Sequence, residues 1–241
     1  MDLGIEGKAA LVVAGSRGLG RATAEALAAE GVRVMVSSRD GASLSEVSSS
    51  LRATGATVAT TTADIAEPGT PARLVAATIE AFGTVDIVIA NAGGPPAGRA
   101  LEVDEDMIVA AVNANLLSAV RLARESVPVM RDRGWGRICC ITSYSVVQPI
   151  PTLALSNTAR AGLWAWAKTA AQDLADQGTG VTINLLCPGP HATDRMRELG
   201  GGGVMGDPAD FGSVAAFVCS QQARFVNGAA IVVDGGATLA L

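Results

Sequence analysis

The chain has 241 residues, a formal charge of −5, 49% hydrophobic residues and 17% charged residues. That is ample apolar material for one large core, which excludes a disordered chain. No basic run offers an electrostatic footprint for nucleic acid.

Apolar runs of strand length alternate with helical patterns along the chain. Residues Ala9–Val13, Val32–Val36, Val58–Thr62, Val85–Ala90, Ile138–Thr142, Val181–Leu186 and Ala229–Val233 read as strands. Most are continuous apolar runs, as expected when helices cover both faces of a sheet. The helical stretches between them are Leu19–Glu30, Ser43–Thr54, Pro71–Phe82, Asp104–Arg133, Ser156–Gln177 and Pro208–Ser220. Gly31 and Gly55 mark helix stops, and Asp104 and Pro71 suit helix starts. The order predicts a single α/β domain, a doubly wound parallel sheet of seven strands, with its ligand beyond the strands' carboxyl ends beside the first strand.

Cys139, Cys140, Cys187 and Cys219 form no CxxC pair and lie in or near apolar runs, so they read as reduced, packed thiols. With His191 the only histidine, no metal site is expected. The N-terminus lacks a signal-peptide pattern, and the uncharged run Ile138–Ala159 carries Gln148, Asn157 and two prolines. The expectation is a soluble cytoplasmic protein without a membrane or nucleic-acid partner.

The first strand ends in Val13-Ala14-Gly15-Ser16-Arg17-Gly18-Leu19-Gly20 and opens a helix. Glycines there permit a tight turn and let backbone N–H groups approach a pyrophosphate at the helix N-terminus; a bare turn is the alternative. The second strand ends in Ser38-Arg39 with no acid for ribose hydroxyls, while Arg39 and Arg17 can clamp a 2′-phosphate. NADP(H) is thus favoured over NAD(H), against the plainer reading of two solvated arginines.

Over essentially its whole length the chain resembles the short-chain dehydrogenase/reductase family, and within it a divergent subgroup related to β-ketoacyl-ACP reductases. The residues carrying the resemblance are Ser16 to Gly20, Ala63-Asp64-Ile65, Asn91-Ala92-Gly93, Asn115, Ile141-Thr142-Ser143, Pro188-Gly189 with Thr193, and Asp234-Gly235-Gly236. The resemblance implies a Rossmann-type fold and roles at these positions. Asp64 and Ile65 would hold adenine, Asn91 to Gly93 the adenosine side, and Thr193 the nicotinamide amide. Ser143 would polarise a substrate carbonyl, and Asn115 would hold a water in a proton relay. Asn91 as a turn cap and Asn115 as a backbone partner at a helix kink are the structural alternatives.

The chain departs from the family at its proton donor, a Tyr about thirteen residues after the catalytic Ser, with a Lys four further on. Thirteen residues beyond Ser143 stands Ser156, and Arg160 follows four later. A Ser hydroxyl is a far weaker acid than a phenol, and Arg does not give up its proton. Arg160 can still hold the nicotinamide ribose and supply charge; Ser156 reads equally as the N-cap of its helix. His191 and Tyr144, the only tyrosine, are the substitute acids to consider. A second departure puts Ala14 where the glycine loop normally has Gly. A third is a short, glycine-rich lid near residues 195–206, open to bulky or carrier-bound substrates and expected to be mobile. The helix from Ser156 carries Trp164 and Trp166, one expected in the core and one at the surface. In the family this helix and the preceding one pack against a twofold mate, implying a homodimer or homotetramer.

Three functional readings follow. The first is an NADP(H)-dependent, ketoreductase-like oxidoreductase of a carbonyl or alcohol. The second is a catalytically impaired nucleotide-binding or structural subunit, paired with an active relative. The third is non-redox chemistry, dehydration or cyclisation, in the same pocket.

Overall fold

Side chains alternate faces along a strand, so a strand apolar at every position needs cover on both sides. In the computed structural model, which describes residues 1–200 and 203–239, the first strand β1 (Ala9–Val13) meets that requirement. Leu11 and Val13 join one buried cluster, while Ala10 and Val12 join another on the opposite face.

The remaining strands are β2 (Arg33–Ser38), β3 (Val58–Thr62), β4 (Ile87–Ala90), β5 (Gly136–Ile141), β6 (Val181–Pro188) and β7 (Ala230–Val233). They pair in parallel in the order β3-β2-β1-β4-β5-β6-β7. The helices are α1 (Gly18–Ala29), α2 (Gly41–Ala53), α3 (Thr70–Phe82), α4 (Glu105–Val112), α5 (Ser118–Asp132), α6 (Ala154–Asp176), α7 (Asp194–Glu198) and α8 (Pro208–Val218). Leu74 of α3, Leu122 of α5 and Leu163 of α6 fill one core layer; Leu27 of α1, Val47 of α2 and Phe211 of α8 fill the other. The predicted single-domain, doubly wound, seven-stranded architecture is therefore the observed one. After β3 the chain crosses to the far side of β1, and the sheet's switch point lies between β1 and β4.

Element boundaries differ from the sequence reading by one or two residues, and at two helices the difference changes the reading. The predicted stretch Asp104–Arg133 is α4 and α5 joined by a π turn, Asn113–Leu117. This run is long and apolar enough to cross a membrane, but here it packs on α3 and α6. The helix expected from Ser156 begins two residues earlier, at Ala154, with Leu153 at its cap position. Ser156 is therefore buried within the first turn of α6 and is not the N-cap. Trp164 and Trp166 are both half-buried and both rest against the core, so the core-versus-surface split does not hold. All four cysteines are buried free thiols.

Candidate active site

The carboxyl ends of β1, β4, β5 and β6 open onto a cleft with two lobes of about 340 and 530 Å³. Gly18, Leu19, Gly20, Asn91, Ser143, Ser156, Arg160, Pro188 and Thr193 line the smaller lobe. Ser16, Ser38, Arg39, Asp64, Ile65, Gly93 and Asn115 line the larger. Arg17 and Ala92 contribute to both. Gly15 and Gly189 pack behind the wall, their N–H groups donating to the carbonyls of Ser37 and Val233.

At the β1–α1 turn, Ala14 takes φ 49°, the one positive value at a non-glycine among the described residues. Gly18 also has positive φ, at 54°. A Cβ on Gly20 would lie 2.5 Å from the Ala14 carbonyl oxygen and 2.8 Å from Asn91 Nδ2, so α1 packs on the loop only with glycine there. Asn91 Nδ2 donates to that same carbonyl at 3.2 Å, tying the end of β4 to the glycine turn. Arg17 occupies the N-cap of α1 without a side-chain hydrogen bond. The leading N–H groups of a twelve-residue helix are thus left without a side-chain cap where they border the cleft, the donor set a pyrophosphate needs.

In the larger lobe, the Ser16 hydroxyl donates to Ser38 Oγ at 2.8 Å. Arg17 and Arg39 are 65% and 76% exposed, and their nearest carboxylates, Asp40 and Asp64, stand 3.8 and 3.9 Å away. These are loose pairs that an incoming phosphate can replace. Asp40 is a cleft residue the sequence reading missed, because it lies just past the strand end. Its carboxylate caps α2, accepting from the Ser43 hydroxyl and the Ala42 N–H, and these bonds hold its pKa below the usual range. Asp64 accepts from the Ala66 N–H at 2.9 Å.

The smaller lobe gathers the residues expected to do chemistry. Ser143 ends the β5 segment, and its Oγ accepts from the Ser145 N–H at 3.1 Å, leaving its own proton to donate. Arg160 is 7% exposed; its Nη1 donates to the Ile141 carbonyl at 3.0 Å, while Nε has no partner. Burial pushes its pKa down to about 10, with the neighbouring Arg195 charge acting in the same direction and Cys187 opposing. Thr193 caps α7, its Oγ1 accepting from the Met196 N–H at 3.3 Å. Asn115 sits in the π turn and faces the other lobe. Its Nδ2 donates to the Ala111 carbonyl at 3.3 Å, and its buried Oδ1 has no protein partner.

Neither substitute acid lines the cleft. His191 is 5% exposed, with Nδ1 on the Gly189 carbonyl at 3.0 Å and its ring edge-on to Phe211 at 5.4 Å. It is a packing residue between the β6 loop and α8. Tyr144 is half-buried in a short 3₁₀ turn, Tyr144–Val146. Adjacency to Ser143 does not bring it to the wall of either lobe. The expected lid contains the short helix α7, and Gly201 and Gly202 lie outside the described residues. Arg195 of α7 is a second cleft residue missed from sequence: it lines the smaller lobe and donates to the Pro95 carbonyl at 2.7 Å.

A doubly wound parallel sheet with an uncapped helix N-terminus at its switch point defines a dinucleotide-binding fold. A family model described as enoyl-(acyl carrier protein) reductase matches residues 13–238. The dehydrogenase/reductase SDR family member 4 of Bos taurus is 30% identical, over 96% of this chain and 88% of its own length. L-Rhamnose 1-dehydrogenase (NAD(P)(+)) of Azotobacter vinelandii is 30% identical over 95% and 96%. The structure of L-sorbose reductase from Gluconobacter frateurii, complexed with NADPH and L-sorbose, is 29% identical, covers 100% of both chains and superposes with a TM-score of 0.92. The chain belongs to the short-chain dehydrogenase/reductase family of oxidoreductases.

Proposed function

We propose that the protein is an NADP(H)-dependent oxidoreductase acting on a carbonyl or alcohol, ketoreductase-like in site layout. The observation that carries this reading is the junction of two features in one cleft. An uncapped α1 N-terminus borders the same lobe as Ser143, whose hydroxyl proton is free to donate. Arg17 and Arg39, exposed and loosely paired, support preference for a 2′-phosphate, and the NADPH bound to L-sorbose reductase is consistent with it.

When bound, the nicotinamide dinucleotide supplies or accepts the hydride. The α1 N–H groups would hold its pyrophosphate, Asp64 and Ile65 its adenine end, and Thr193 its carboxamide. Ser143 donates a hydrogen bond to the substrate oxygen, and the Arg160 charge stabilises negative charge developing there. Ser156 and Arg160 would stand where the family keeps its Tyr and Lys.

Titrating the purified protein with NADPH and NADH by calorimetry tests the cofactor assignment. NADPH should bind at least about tenfold more tightly, as expected for a phosphate clamped by two guanidiniums; equal affinity removes the 2′-phosphate reading. A second reading is favoured by the retreat of Tyr144 and His191 from the cleft. In it the chain binds nucleotide without turning over and serves beside an active relative. Binding of NADPH without turnover across a carbonyl panel, together with co-purification of that relative, would select it.

A further inference from the structure

Two segments distant in sequence wall the larger lobe. One leaves β3 as Ala63, Asp64, Ile65 and Ala66; the other is Met107, Ala110 and Ala111 of α4 with Ala114 of the π turn. A side-chain bond joins them: Asn113 Nδ2, at the start of the π turn, donates to the Ala66 carbonyl at 2.7 Å. The Ala66 N–H is already taken by Asp64 Oδ1 at 2.9 Å, so both backbone polar groups of Ala66 are fixed. Asn113 itself lines neither lobe.

On its other side, Asn113 Oδ1 accepts from Arg121 Nη1 of α5 at 2.8 Å. A guanidinium only donates and a carbonyl only accepts, so these two partners admit one orientation of the amide. Asn113→Asp would aim a carboxylate oxygen at the Ala66 carbonyl oxygen, and Asn113→Leu would leave both partners unanswered. The position therefore requires a carboxamide. Ala110, Ala111 and Ala114 end in methyl groups that cannot rearrange to take up slack, so the backbones set the width of the lobe. A flat ring bound there feels that width, because a gap of about 0.5–1 Å already forfeits much of the dispersion attraction. We propose that Asn113, held by Arg121, is a positioning residue that fixes the adenine slot. The proposal rests on the dinucleotide reading for the identity of the ring, which the family resemblance places at Asp64 and Ile65.

The test titrates the full chain by calorimetry with NADPH and with adenosine 2′,5′-bisphosphate, which carries the adenosine end alone. Asn113→Ala should weaken the bisphosphate about fivefold, the worth of one hydrogen bond, and NADPH by the same factor. Should that variant fail to fold, Arg121→Met keeps the stem of the side chain but loses the donor. It should weaken the bisphosphate about twofold, since Asn113 still reaches Ala66. Unchanged bisphosphate affinity in the variant that folds overturns the proposal, as does no binding of the bisphosphate to the native chain. A larger loss for NADPH than for the bisphosphate also overturns it, because the damage would then extend into the other lobe. Bisphosphate that binds where NADPH does not, and weakens in the variant, would refute the redox reading and leave the role of Asn113 standing.

Discussion

Ala14 carries its methyl group at φ 49°, a conformation that costs an L-residue about 1–2 kcal/mol. Glycine would relieve that strain but add roughly 0.4–1 kcal/mol of unfolded-state entropy. The strain outweighs the entropy, so Ala14→Gly should raise stability by about 0.5 kcal/mol in denaturant melts; a loss would show that the turn is unstrained. Ser143 is expected to act on the reacting atoms, and its environment supports that role, since the Ser145 N–H fixes the oxygen and frees the proton. Ser143→Ala should lower kcat on any accepted carbonyl about 10²-fold, the usual cost of one donor to a developing oxyanion, with NADPH affinity retained. Unchanged kinetics would remove the residue from the mechanism. His191 shows why residue type alone misleads: imidazole is a common proton donor, but this ring is spent against Phe211 and the Gly189 carbonyl.

At the scale of elements, the run from α4 to α5 combines a strong start with an interrupted middle. Asp104 Oδ1 accepts from the Met107 N–H at 2.8 Å, and Glu105 and Asp106 complement the helix dipole in the first turn. Asp104→Ala should therefore cost about 1 kcal/mol by thermal or chemical melting. The π turn at Asn113–Leu117 presents Asn115 with an orphaned Oδ1, an acceptor suited to a water. That turn leaves no mark in the apolar periodicity, which runs through it. The start of α6 escapes pattern for a related reason. Ser156 is an apt cap by type, yet the chain has already turned helical at Ala154, where the backbone of the preceding loop allows it.

For the whole molecule, the family's twofold packing implies that α4, α5 and α6 meet a second copy. Ile108 and Val109 are exposed on α4 at 38% and 59%, and Trp164 of α6 is only half-buried. Such apolar surface on adjacent helices supports association. Light scattering of the purified chain should give the mass of a dimer or tetramer; a monomer at micromolar concentration would refute it. The seven strands, their parallel doubly wound arrangement with helices on both faces and the cleft's place at the switch point were all legible in the sequence. Apolar strand runs, helix stops such as Gly31 and Gly55, and the glycine turn are local signals that local physics reads directly. The residue types at Ser143, Asn115 and Arg160 were legible too. Their arrangement was decided by long-range packing: Asn115 faces a different lobe from Arg160, His191 turns to the core, and Arg195 enters the cleft from a helix that pattern alone did not reveal. Sequence determines which groups a chain can bring to a site, through spacing along elements. Which of them meet, and which buried charge is left without a partner, depends on how separate elements pack, and only the folded structure holds that.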